Sequence, residues 1–377
     1  MGPRAAYVHV PFCRTKCLYC DFNTYAGKER LTGEYVAALT NEIRRRTGEG
    51  AGPLRSVYFG GGTPSLLPLS SVRRLMGALQ AGYGVAAGAE VTLEANPGTF
   101  GARYLQGLLA AGVNRLSLGV QSLDDETLRR LARTHSAATA FEALHLARRA
   151  GLPSVSLDLI YGLPWQTLEG WRDHLRRALD SDPDHISLYA LMVEEGTPLA
   201  TLVARGSWTV PDDDLVADMY EAALPLLSEA GYEHYEVSNW ARPGHASRHN
   251  LVYWRNEAYL GFGAGAHSYA GGRRSWNVKP IEGYIRRVAR REDVTGGAES
   301  LPAPATLGET AALALRLRQE GIDFRRFGER FGIDPRRQWG PALAELRETG
   351  LLAQSEERLT LTDAGLLVSN EVASRFL

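Results

Sequence analysis

Cys13, Cys17 and Cys20 are the only cysteines in the 377-residue chain, and all three lie between residues 13 and 20. Cysteines that merely fill a core are scattered, and these are not. A C-x3-C-x2-C run lets three thiolates reach three irons of a [4Fe–4S] cube and leaves the fourth iron open to another molecule. Short spacings also suit tetrahedral zinc, with His9 or a distant residue completing the set. A disulfide plus a spare thiol fits poorly, because nothing in the sequence points to an oxidising compartment. Spacing therefore favours iron–sulfur and leaves zinc open.

Composition bounds the setting. The length exceeds a usual single core, so a large domain with a smaller companion is expected. A net charge of −1 gives no case for nucleic-acid binding. There is no run of 18 apolar residues to span a membrane, and the first residues lead into a strand pattern with no signal-peptide core. Free thiols without an export signal place the chain in the cytoplasm, with at most a peripheral membrane association.

The elements that must position the cysteines alternate. Residues 5–10 read as a buried strand closed by Pro11, with Tyr7 and His9 on one face and Val8 and Val10 on the other. The periodicity then predicts a helix at 30–46, a strand at 54–60, a helix at 70–81, a strand at 90–95 and a helix at 101–111. A strand at 113–119, helices at 124–132 and 136–150, a strand at 154–161, a helix at 167–180 and a strand at 184–190 follow. Six β/α units in series imply a parallel sheet under helices, curled by right-handed crossovers into a full or partial barrel. Such barrels keep their chemistry at the C-terminal strand ends.

Those ends carry Gly60-Gly61-Gly62-Thr63-Pro64, Glu94-Ala95-Asn96-Pro97, Gly119-Val120-Gln121-Ser122, and Asp158 leading to Tyr161-Gly162-Leu163-Pro164. Each alone is an ordinary Gly- and Pro-rich βα turn. Together, at the end that bears the cysteine loop, they outline one rim and favour an active site.

Past the barrel, 213–231 reads as a helix and 232–240 as one alternating strand. Arg248-His249-Asn250-Leu251-Val252-Tyr253-Trp254 combines a metal-capable imidazole with flat apolar rings, a set suited to a porphyrin. On chemistry alone a packed, hydrogen-bonded histidine is the stronger reading. Gly and Pro content marks 295–305 as a linker. The rest reads as helices at 307–319, 323–331 and 335–349, a strand at 358–361, and a last helix capped by Thr362. Arg325, Arg326, Arg330, Arg336 and Arg337 are balanced by nearby acids, so this winged-helix-like region is not read as a DNA binder. The divisions expected are 1–230 for the barrel core, 231–294 for an extension, 295–305 for the linker and 306–377 for the cap.

The pattern Y-x-H-x-P-F-C-x3-C-x-Y-C resembles the radical S-adenosylmethionine (SAM) superfamily, in its coproporphyrinogen-oxidase-like branch. H-N-x-x-Y-W, at residues 249–254, is similar to the heme-binding signature of the HemW-type heme chaperones. The resemblance covers nearly the whole chain. It implies an α/β fold, a partial (β/α)6 radical SAM barrel with a smaller C-terminal winged-helix-like α+β domain. It implies a [4Fe–4S] cluster on Cys13, Cys17 and Cys20, with SAM chelating the unique iron and open to reductive cleavage. It implies a SAM site at Tyr7, Tyr19, Gly61, Gly62, Thr63, Glu94, Gln121, Arg133 and Asp158. It also implies heme at His249, Asn250, Tyr253 and Trp254, client hemoproteins (among them respiratory ones), and an electron donor such as a flavodoxin or ferredoxin. Oxidases of this branch carry a further cysteine two positions after the third ligand; Phe22 stands there, which argues against porphyrinogen decarboxylation. That reaction remains the enzyme alternative, and a zinc-stabilised binding module the non-redox one. Gly261 to Ser268 also fits the branch, although G-x-G-x-G alone is a weak signal, and His267 is as readily a packed loop residue as a substrate contact.

Overall fold

A computed structural model describes residues 2–377. The inner framework is β1 (Ala5–Val10), β2 (Leu54–Gly61), β3 (Val85–Ala95), β4 (Arg115–Gln121), β5 (Ser154–Tyr161) and β6 (His185–Ala190), parallel and adjacent in that order. The hairpin β7 (Glu233–Glu236) and β8 (Asn239–Ala241) joins antiparallel through β8 at the β6 edge, and β9 (Leu260–Phe262) runs parallel beside β1. The nine strands take the order β9-β1-β2-β3-β4-β5-β6-β8-β7. Among the described residues no ladder joins β9 to β7, so the barrel is partial.

Period-two alternation sorts the strands into two faces. Val8, Val10, Val57, Phe59, Val91, Leu93, Leu116, Leu118, Val155 and Leu157 are buried in the main core. Helices cover them: Val36, Leu39 and Ile43 of the Thr32–Arg45 helix repeat at near-helical spacing and are buried in the same core. Truncating one, Leu39→Ala, should cost about 2–5 kcal/mol. Helix starts are set locally, as where Ser136 accepts from the Thr139 amide and Thr167 from the Gly170 amide. The other strand face is polar: Ser56 pairs in register with Glu90, Glu94 with Ser117, and Gly119 with Asp158. The cylinder is thus lined with hydrogen-bonding groups rather than filled with aliphatics.

Three expectations are corrected. Residues 232–240 form a hairpin, not one strand; a two-residue reversal at Val237-Ser238 preserves the alternation, so the pattern reads straight through. The 295–305 linker is instead a strand, Thr295–Ser300, paired with Arg273–Asn277, which pairs in turn with His267–Ala270. Its glycines serve close packing, since a Cβ on Gly297 would come within 2.4 Å of the Trp276 ring. The 335–349 helix breaks at Trp339 into Pro335–Gln338 and Gly340–Glu348. The chain ends in helices with a small antiparallel sheet of Ile322–Asp323, Arg358–Leu361 and Leu352–Gln354, a winged-helix-like arrangement. Thr362 caps the helix after it, accepting from the Gly365 amide. No described helix is long and apolar enough to cross a membrane.

Candidate functional site at the strand ends

Pro11 ends β1, and Phe12–Cys13 pairs with Tyr25–Ala26, pinning both ends of the cysteine loop. Cys13 is buried, while Cys17 and Cys20 are half-buried. Each sulfur has a polar neighbour. Thr63 Oγ1 lies 3.6 Å from Cys13 Sγ, Arg133 Nη1 3.4 Å from Cys17 Sγ, and Thr24 Oγ1 4.0 Å from Cys20 Sγ. Burial pushes the Cys13 and Cys20 thiols up from their ordinary range. Among the described residues no three His, Cys, Asp or Glu side chains are close enough to enclose one metal ion. A cubane takes each thiolate on its own iron and needs wider spacing.

The glycine motif lies against this loop. Gly61 has φ +117°, and a Cβ there would sit 2.4 Å from the His9 ring. A Cβ on Gly62 would approach Phe12 O at 2.6 Å and Cys13 Sγ at 3.0 Å. The Gly62 and Thr63 amides donate to Val10 O and Phe12 O, both at 2.8 Å. Only glycine brings the end of β2 so near the cysteines.

Two carboxylates stand below the rim. Glu94 accepts from Tyr58 OH (2.8 Å) and from the Gly61 amide (3.0 Å). Burial nonetheless pushes its pKa up to about 7, and the nearby Asp158 adds to the rise. Asp158 accepts from Ser187 (2.7 Å), Ser117 (2.9 Å) and Ser156 (3.3 Å), yet burial also holds its pKa above the ordinary range. Both acids are half-buried; Arg115 bears on Asp158, but no cation bears on Glu94, which favours a positively charged ligand there. Gln121 ends β4 with φ +69°, and its Nε2 would lie 3.2 Å from a Cβ on Gly119.

Arg133, which the resemblance assigns to SAM, is drawn into the rim. Besides Cys17 it donates to Asn96 Oδ1 (2.8 Å) and Gly119 O, and its buried Nε has no partner. Asn96 in turn donates to Thr63 Oγ1 at 3.1 Å. A cleft beside the loop is lined by Cys17, Thr63, Asn96 and Arg133. Tyr7 lies inside β1, its hydroxyl 3.1 Å from His9 Nδ1, and His9 Nε2 is 3.0 Å from Asn23 O. Tyr19 packs instead on Leu131, Ile160 and Leu163 beneath the loop.

His249 does not join this rim. Its helix, Arg248–Trp254, starts on Ser247 and is gripped at its amides by Glu90, 2.9 Å from both Arg248 N and His249 N. The ring is 1% exposed, with Nδ1 2.9 Å from Ser56 Oγ and Nε2 3.0 Å from Tyr253 OH. Burial lowers its pKa to about 3, so it is neutral. A histidine open to a docking heme is therefore not what is found; the segment forms the barrel floor. Trp254 carries the Arg316 guanidinium 4.4 Å above its ring and keeps an unpartnered buried Nε1, while Asn250 is half-buried.

The profile of the Radical SAM superfamily matches residues 7–178, and that of the HemN C-terminal domain matches 301–368. The solved structure of Escherichia coli coproporphyrinogen III oxidase (HemN), described as a radical SAM enzyme, fits with TM-score 0.85. It is 26% identical and covers 100% of this chain and 90% of that one. Over full length the chain is similar to proteins named heme chaperone HemW. That of Bacillus subtilis is 37% identical and covers 99% of both chains. That of Escherichia coli is 36% identical and covers 100% of this chain and 99% of the relative. The chain belongs to the HemW family.

Membership in this radical SAM family implies a [4Fe–4S] cluster and SAM. The residues present fit both: three thiols on one pinned loop, a glycine cradle that a Cβ would fill, a carboxylate at Glu94 with no cation bearing on it and an orphaned guanidinium nitrogen. Tyr58 and Asn23 escaped the sequence reading, which named Asn96 only within a strand-end motif and His9 only as sharing a strand face with Tyr7 and as a zinc candidate. Tyr58 was within reach, since it lies two residues before Gly60 and so on the inward face of β2. The Gly261–Ser268 run proves structural. A Cβ on Gly261 would lie 1.9 Å from His267 O, and the exposed His267 stacks on Trp276 at 5.7 Å.

Proposed function

We propose that this HemW-family protein is a heme chaperone, which binds heme and passes it to a client hemoprotein. The full-length likeness to curated heme chaperones carries this reading. Cys13, Cys17 and Cys20 would hold the cluster. Gly61, Gly62 and Thr63 offer backbone to the methionine end of SAM, and Arg133 offers a guanidinium to its carboxylate. Glu94 and Asp158 would face its cationic and ribose portions, with Gln121 at the same strand-end level and Tyr7 and Tyr19 packing the loop. When bound and reduced by an external donor of flavodoxin or ferredoxin type, this pair supplies one-electron cleavage of a carbon–sulfur bond. The chain's own part is to exclude water and fix geometry.

For heme, the Arg248–Trp254 helix offers His249, Asn250, Tyr253 and Trp254. The low pKa of His249 keeps its imidazole in the metal-ligating form. Iron would then compete with the Tyr253 hydroxyl rather than with a proton, a net cost of about 1 kcal/mol. Ligation requires the His249 ring to part from Ser56 of β2 and from Tyr253 of its own helix and so become exposed. The test is a heme titration of wild-type protein and His249→Ala, followed by mixing with an apo-hemoprotein. A Soret shift that depends on His249, and transfer to the apoprotein, are expected. An unchanged Soret response in the variant would sink ligation by His249, and no transfer would sink the chaperone reading.

The second reading is oxidative decarboxylation of coproporphyrinogen III, favoured by the fit to the oxidase over the whole chain. Phe22, exposed at 61%, stands where the oxidases carry their extra cysteine. Turnover of coproporphyrinogen by reduced, cluster-replete protein with SAM would establish that reading instead.

A further inference from the structure

A continuous aromatic column runs through the barrel. The His249 ring stacks on Tyr58 with centroids 5.1 Å apart and planes 27° apart, and Tyr58 stacks on Tyr7 at 6.1 Å and 21°. Tyr58 is thus held from both sides, by the floor helix and by the strand that leads into the cysteine loop. Its hydroxyl donates to Glu94 Oε1, and the other Glu94 oxygen takes the Gly61 amide. A Cβ on Gly60 would meet Tyr58 at 2.8 Å, Tyr7 at 3.0 Å and Glu94 at 3.1 Å, so these groups close on one point below the glycine motif. Glu94 has two fixed partners, one on the glycine motif and one on the column.

We infer that Tyr58 is a positioning residue for the SAM site, holding the Glu94 carboxylate in place and passing the seating of the His249 helix on to it. This rests on the assignment of Glu94 to SAM made above, and not on heme binding. The three rings stack with His249 buried and Tyr7 and Tyr58 half-buried, so packing on both faces of Tyr58 resists its sliding. Rotating the tyrosine would take from the half-buried Glu94 carboxylate one of its two hydrogen bonds. Displacement of the floor helix therefore loosens Glu94 and the Gly61 amide it holds.

The charge environment provides a readout that simple misfolding does not mimic. Tyr7, Tyr58, Tyr189, Tyr253 and Asp158 are the titratable groups that bear on Glu94, and none carries positive charge. The Tyr58 hydroxyl is one of only two groups that favour its anion. Losing it must raise the pH at which Glu94 ionises.

The experiment is SAM binding to anaerobically reconstituted, cluster-replete protein by calorimetry between pH 6 and 9, without heme. Wild-type affinity should rise through neutral pH, and Glu94→Gln should flatten that profile. Tyr58→Phe keeps the stack and loses the donor. Its midpoint should move to higher pH, so affinity falls about 3- to 10-fold at pH 7 and lies within about 2-fold of wild type at pH 9. His249→Leu removes the support from below and should weaken SAM in the Tyr58 background but much less in Tyr58→Phe. A uniform loss across pH, or no change, in Tyr58→Phe would overturn the positioning role, and additive effects in the pair would overturn the link to the floor. Wild-type protein that binds SAM without any Glu94-dependent pH profile would instead overturn the Glu94 assignment beneath it. Iron content and thermal midpoint are read for each variant, and Tyr58→Leu replaces Tyr58→Phe should the latter not load iron.

Discussion

Arg133 Nη1 lies 3.4 Å from Cys17 Sγ while Nη2 donates to Asn96, so one guanidinium ties the cluster loop to the third and fourth strand ends. If Cys17 ligates the cluster as proposed, a cation on its sulfur stabilises added negative charge and raises the cluster's reduction potential. Arg133→Ala should retain cluster iron but lower that potential, as read by spectroelectrochemistry. It should also weaken SAM by about 10- to 100-fold, the worth of a charged hydrogen bond. An unchanged potential would show that the contact with Cys17 has no electronic effect.

Gly62 separates β2 from the loop by less than a methyl group. Gly62→Ala must push Phe12 and Cys13 aside, at about 1–3 kcal/mol of strain. Lower iron loading and a lower thermal midpoint are expected together, whereas Gly77→Ala, whose Cβ meets nothing within 4 Å, should spare both.

The pH dependence of Glu94 has a definite sign. Its pKa is about 7 in the folded protein, against an ordinary glutamate in the unfolded chain, so the native state holds the extra proton between the two values. Stability therefore falls as pH rises through that window, by at most about 3 kcal/mol. Glu94→Gln should stabilise the apoprotein at pH 8 and have little effect at pH 4.5, as measured by urea unfolding. Equal effects at both pH values would contradict the elevated ionisation.

Tyr253 holds the His249 nitrogen that we propose ligates heme iron. Tyr253→Phe should tighten heme by about 5-fold, the worth of one neutral hydrogen bond, and lower stability by about 1–2 kcal/mol because a buried imidazole nitrogen loses its partner. Heme titration and thermal melts on the same samples separate the two effects.

Much of this was legible from order along the chain. Strand alternation located the six parallel strands within a few residues, and the polar strand ends collected beside the cysteines as expected. Features set by contacts distant in sequence were not legible. Gly297 looks like a linker residue until Trp276 is seen against it, and nothing near Arg133 in the chain shows that Asn96, Gly119 and Cys17 surround it. His249 reads on chemistry alone as a packed, hydrogen-bonded histidine, but only the fold supplies its partner Ser56, nearly 200 positions away.

By itself the sequence determined the thiol trio, the β/α rhythm and the family signatures, because these depend on residue type and local spacing. Only the tertiary structure decided which inward side chains meet: Glu94 on Tyr58, Tyr58 on His249, Arg133 on Cys17. Period-two alternation points a residue inward, but the register between strands and the seating of the floor helix choose its partner. Those are set by the packing of the whole barrel.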